Sequence, residues 1–138
     1  MKKIEKSALI KTNRSNLYSL ILDEDFVPIY MGCSIRQVSK NHYEWYMEKD
    51  NQDIVLLSGD VINKISNQMI ELRTFNPHRN YKEKYVLYVK YILEDQDNLT
   101  KLTIIQTGFE DLPDGQKVYD ENLKGWDYAL NNLKKYFE

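Results

Sequence analysis

Few side chains in this sequence could do chemistry, and they are scattered. His42 and His78 are the only histidines and Cys33 is the only cysteine. A metal site needs several His, Cys or carboxylate ligands at short spacing, and neither histidine has them nearby in sequence. Both sit in polar, loop-like stretches, which reads as solvated surface. Cys33 has no adjacent histidine or cationic cluster to favour its thiolate, which argues against a catalytic thiol. Glu110, Asp111 and Asp114 read as a solvated acidic loop, not as a working carboxylate pair. There is no glycine-rich phosphate loop, no HExxH and no nucleophile elbow. Neither a metal nor a cofactor is implied. Arg73 and Gln106 are the nearest to a polar group inside a core, and strand phase turns Arg73 outward if Leu72 faces inward. Trp126 has two readings. It is either a core anchor or the roof of a cavity, where its indole N–H would need a partner.

The elements that must position these residues follow from periodicity. Residues 3–11 alternate partly and read as a first strand, and Asn13 or Ser15 is placed to cap a short helix carrying Leu17, Leu20 and Ile21. Pro28 keeps any helix over 26–31 brief. Strands are expected at 43–47, 53–65 and 69–75, the last with Ile70, Leu72 and Thr74 on one face. In the segment 84–94, the clearest strand, Tyr85, Leu87, Val89, Tyr91 and Leu93 share a face at period two. Residues 99–107 are its antiparallel partner, with Leu102, Ile104 and Gln106 together. The period then changes. Tyr119, Leu123, Trp126, Leu130, Leu133 and Phe137 step by three and four, which makes one apolar helical stripe. Gly125 should cost that helix about 1 kcal/mol relative to alanine. Grouped strands with segregated helices mean α+β.

Composition excludes several classes. The chain has 138 residues, 29% charged and 42% hydrophobic, as an ordinary globular domain does. One domain spanning 1–138 is expected, since no linker, repeat or low-complexity stretch divides it. The net charge of −2 is spread without a basic stripe, so no nucleic-acid partner is expected. No apolar run approaches the roughly 18 residues of a membrane span, and no signal peptide is visible. A single cysteine fits a reducing compartment, so the cytoplasm is expected and the Asn13 and Asn98 sequons read as chance matches.

The C-terminal third carries a more specific pattern. Thr100, Leu102, Ile104, Gly108 and Phe109 match a strand written T-x-L-x-[IL]-x-x-x-G-F. Gly125, Trp126, Leu130 and Leu133 match a helix written G-W-x-x-x-L-x-x-L. Together these resemble the SRPBCC (START-like, helix-grip) superfamily, and within it the bacterial homologues of the activator of heat-shock protein 90 ATPase. Element order agrees over nearly the whole chain, and the motif covers about residues 100–137. Two positions depart from the pattern: Tyr30-Met31 stands where a Trp pair is usual, and the paired glycines opening the next strand are absent. The resemblance implies a curved antiparallel sheet of about six strands around a long C-terminal helix, with two short helices after strand 1.

It also implies a cavity between helix and sheet. Leu57, Leu72, Tyr85, Leu87, Val89, Ile104, Trp126 and Leu130 are the expected lining, and His78-Arg79 a candidate for its mouth, facing an anionic ligand. The leading expectation is a non-enzymatic module for a small hydrophobic or amphipathic ligand, present as monomer or homodimer. The second is an interaction partner of a heat-shock protein 90-type chaperone, with a role in the stress response. A cyclase- or hydrolase-type enzyme ranks third, for want of a polar group in the cavity.

Overall fold

The computed structural model describes residues 2–78 and 86–138. The element order is β1 (Ile4–Ile10), α1 (Arg14–Leu20), α2 (Val27–Met31), β2 (Ser34–Ser39), β3 (His42–Lys49), β4 (Gln52–Ile65), β5 (Met69–Phe75), β6 (Val86–Gln96), β7 (Leu99–Thr107), a 3-10 turn at Phe109–Asp111, and α3 (Gly115–Tyr136). Among the described residues seven strands form one sheet, ordered β1-β7-β6-β5-β4-β3-β2, and every neighbouring pair is antiparallel. The expectation of about six strands is therefore corrected to seven. The added strand is β2, an edge strand whose only buried residue is Ile35. Its polar, half-exposed sequence gives no alternation to read. Arg36 ties it to the sheet by reaching Glu44 on β3 and Asp53 on β4.

Local chemistry explains the boundaries. The Asn13 side chain accepts from the Asn16 backbone N–H and caps α1. Pro28 sits in the first turn of α2, where its missing N–H costs nothing, and Gly32 ends that helix at φ 77°. The β3–β4 hairpin turns through Asp50 and Asn51, both at positive φ, the pair of conformations that a two-residue turn of the right twist requires. Register shifts at Gln37/Ser39, Trp45/Tyr46 and Val61/Asn63 mark bulges that bend the β2–β4 side of the sheet.

The strand phases match the expected faces. Leu87, Val89, Tyr91 and Leu93 on β6 are buried, as are Ile70, Leu72 and Thr74 on β5 and Leu102, Ile104 and Gln106 on β7. Against this face α3 buries Val118, Trp126, Ala129, Leu130 and Leu133, while Tyr119, Leu123 and Phe137 pack at the margin. At its C-terminal end α3 meets α2, where Phe26 lies edge-on to Tyr136 and tilted against Phe137, and Asn132 donates to the Tyr30 carbonyl.

The Gly108-Phe109 pair pins the other end. Gly108 has φ 111°, and a Cβ there would stand 2.8 Å from the Val86 carbonyl oxygen. Only glycine lets the chain turn there, and the turn buries Phe109 edge-on against Tyr119 of α3.

Candidate functional site

Between these two anchored ends, α3 and the sheet enclose a cavity of about 250 Å³. Its floor is Leu57 on β4, Leu72 and Thr74 on β5, Val89 and Tyr91 on β6, and Gln106 on β7. Trp45 of β3 closes one side, placed beside Leu57 by strand pairing, and Met31 of α2 also contributes. Asn122, Gly125 and Trp126 of α3 form the roof, and the exposed side chains of Glu121 and Tyr128 stand at the opening.

A short polar chain holds the roof to the floor. The Trp126 indole N–H donates to Gln106 Oε1 at 2.7 Å. Gln106 Nε2 donates to Asn122 Oδ1 at 3.1 Å, and Asn122 Nδ2 donates to the Val118 carbonyl at 2.8 Å. Gln106 is only 3% exposed, so both ends of its amide need these partners, and both have one. Tyr91 stands edge-on to Trp126 with ring centres 5.9 Å apart. Thr74, also in the lining, donates its hydroxyl proton to the Leu87 carbonyl.

The inner phenols lie deeper. Tyr30 donates to the Ile21 carbonyl at 2.6 Å, and its ring is wholly buried beside Tyr91. Burial pushes both phenols well above the usual tyrosine range, and the neighbouring Tyr91 adds to the shift of Tyr30. Burial also raises the half-buried Cys33 thiol, which suppresses its thiolate. Each of these groups is neutral near pH 7.

Two further features border the cavity. Trp45 is 3% exposed, and its Nε1–H has no hydrogen-bond partner among the described residues. Gly125 has nothing within 4 Å of where a Cβ would stand, so the helix gives up propensity there without any close approach of protein to require it.

Of the residues expected at this site, Leu57, Leu72, Val89 and Trp126 are brought together around the cavity. Leu87, Ile104 and Leu130 face inward into the core and are not among the residues around this cavity. Tyr85 and Arg79 lie outside the described residues. His78 is exposed, hydrogen-bonds through Nε2 to the Val55 carbonyl, and does not line the cavity. The loop setting expected for His42 is also corrected. It opens β3, and its Nδ1 lies 2.7 Å from Asp60 on β4. Arg73 faces outward, as its phase requires, with its guanidinium 4.0 Å from the same Asp60. No group of three His, Cys, Asp or Glu residues that could hold a metal ion occurs among the described residues.

The sequence reading did not place Trp45, Thr74, Met31 or Asn122 at the site. Gln106 shares the period-two face of Ile104 and was legible. The position of Trp45 depends on which β4 residue it faces across a bulge, which no local pattern records.

A seven-stranded antiparallel sheet closed over a C-terminal helix, with an apolar cavity between them, defines the helix-grip class of the SRPBCC superfamily. The chain belongs to the family described as Activator of Hsp90 ATPase homolog 1-like protein, whose model matches residues 11–138. Among solved structures, a protein from Mesorhizobium loti is similar at 15% identity with a TM-score of 0.76, covering 97% of this chain and 95% of that one. The Aha1 dimer from Colwellia psychrerythraea is similar at 16% identity and a TM-score of 0.76, covering 100% and 97%. A Mycobacterium smegmatis protein is similar at 13% identity and a TM-score of 0.75, covering 99% and 90%. At these identities the likenesses show the fold. No curated protein matches the chain. No helix among the described residues is long and apolar enough to cross a membrane.

Proposed function

We propose that this protein is a non-enzymatic binding module that holds a small, largely apolar molecule between α3 and the sheet. The observation that carries this reading is the cavity beneath Trp126, kept open although the residues around it are large and apolar. At 250 Å³ it lies just below the roughly 300–1,000 Å³ usual for ligand pockets, so its occupant is small. Affinity comes from apolar burial at about 25 cal/mol per Å². The Trp126–Gln106–Asn122 chain holds the roof in place, because its donors and acceptors are already matched to one another. The test is native mass spectrometry of protein purified gently from its own cells, followed by soaking with apolar libraries. A retained small molecule displaced by Gly125→Leu supports the reading, and a cavity that never retains one sinks it.

Family membership supports a second reading, an interaction with an Hsp90-type chaperone. Pull-down with the host chaperone and its ATPase rate test this. An unchanged rate at saturating protein removes it.

A further inference from the structure

Among the described residues, the polar groups within the cavity are already matched, so a ligand's own polar group belongs at the mouth. Gln106 and Asn122 bond to each other and to α3, Thr74 donates to Leu87, and Tyr91 is hydrogen-bonded to Tyr30. The Trp45 nitrogen is sealed by protein. The mouth lies along one stripe of α3. Glu121, Gly125 and Tyr128 stand at i, i+4 and i+7, all exposed and all bordering the cavity. Helix positions three and four apart are neighbours, with Cβ atoms about 5–6 Å from each other. Nothing lies within 4 Å of where a Gly125 Cβ would stand, so the stripe has a bare step between a carboxylate and a phenol ring. Tyr128 is seated against the end of α2, where a Cβ on Gly32 would stand 3.3 Å from its hydroxyl oxygen. Glu121 is the only charged residue of the described lining, and its carboxylate has no partner among the described residues. Lys117 and Lys124 are exposed near it on the helix, yet neither pairs with it or lines the cavity.

We infer that the cavity takes an apolar amine, its hydrocarbon body under Trp126 and its ammonium at Gly125, between the Glu121 carboxylate and the Tyr128 ring. This rests on the binding function proposed above and specifies the ligand's head group. An ammonium at the mouth keeps water on its outer side, gains a counter-charge from Glu121, and meets an aromatic ring. An anion in the same place would find no cation in the described lining and would face the carboxylate. The glycine also acquires a reason, since any side chain there would occupy the ammonium's place.

The probes are three molecules of one shape and different charge: 1-naphthylmethylammonium, the neutral 1-naphthylmethanol, and 1-naphthoate. Each is titrated near neutral pH and low salt into methyl-labelled protein, and the Leu72 and Val89 methyl signals report entry into the cavity. The ammonium is expected to bind roughly three- to tenfold more tightly than the alcohol, as one exposed ion pair and one ring contact allow. Naphthoate is expected to bind most weakly. Glu121→Gln and Tyr128→Leu, both at exposed positions, should each shrink the preference for ammonium over alcohol, and raising the salt to about 0.5 M should do the same. Equal binding of ammonium and alcohol, or a preference that survives Glu121→Gln or Tyr128→Leu unchanged, overturns the amine inference and leaves the apolar cavity reading standing. Tightest binding by naphthoate overturns it as well. If no probe at millimolar concentration moves either methyl signal, the binding function falls and this inference with it.

Discussion

Replacing Gly125 with alanine separates the stability of the helix from the use of the cavity. Gly125 lies near the middle of α3, which runs from Gly115 to Tyr136, so capping does not excuse it. Alanine in a helix interior is favoured over glycine by about 0.8–1.0 kcal/mol. Usually part of that gain is lost to crowding, but here nothing lies within 4 Å of the new Cβ. The contrast is Gly59, where a Cβ would stand 3.0 Å from the Trp45 ring and 3.3 Å from the Thr74 methyl. Gly125→Ala should therefore stabilise the protein by close to the full propensity difference. For a chain of this length that raises the Tm by roughly 3–5 °C. Urea unfolding should show a higher midpoint with an unchanged slope. Gly125→Leu keeps most of the propensity gain but sends a larger side chain towards the opening, so it should retain stability and lose bound ligand. If alanine lowers the midpoint, the space beside Gly125 is not open and the reasoning fails. If leucine binds the same ligand equally well, the cavity is not where binding occurs.

Three further outcomes follow from the same geometry. Gly108→Ala should cost about 2 kcal/mol or more, because the residue sits at φ 111° and its Cβ would press on the Val86 carbonyl; a urea midpoint within error of the parent would refute this. Gln106→Leu leaves the buried Trp126 N–H without an acceptor, at a cost of about 1–3 kcal/mol, read by urea unfolding followed by tryptophan fluorescence; a neutral result would mean that the bond does not hold the roof. Stability should decline in alkali. Tyr30 and Tyr91 have folded pKa values raised by burial, so their contribution is full below the unfolded-chain value near 10 and is lost as pH rises from there towards the folded values. Urea midpoints between pH 8 and 11 measure that slope, and an identical slope in a Tyr30→Phe/Tyr91→Phe variant would show that other groups cause it.

How much of this was legible in the sequence depended on whether the signal was local. The stripe of α3 repeats over several turns, and Leu87 to Leu93 alternate without interruption, so helix and strand declared themselves through single-element periodicity. β2 did not, because an edge strand with one buried residue has no face to advertise. Strand phase also stated which side chains point inward, and it was right for Leu57, Leu72, Leu87, Val89 and Ile104 alike. It could not say which of them border empty space. Leu87 meets the turn at Gly108, while Leu72 and Val89, on the same face, stand under the gap. That distinction is set by the separation of helix and sheet at each point, and no stretch of sequence encodes a separation.

The separation has an identifiable cause in how α3 is held. Phe109 against Tyr119 fixes its start, a contact with the turn just before it, and Phe26 with Tyr136 and Phe137 fixes its end, a contact between elements distant in sequence. Bulges bend the β2–β4 side of the sheet, and Trp45 stands there as a wall. A helix pinned at both ends cannot sink into a gap at its middle without breaking one pin. The Gln106 bond to Trp126 fills that middle with a polar strut where an apolar side chain would have closed it. Gly125, one residue before Trp126, then leaves the helix surface bare beside the strut. Openness is thus built from these restraints at the two ends and the middle of α3 and one missing side chain, which is why Gly125 is the position where adding atoms should strengthen the fold and weaken the site.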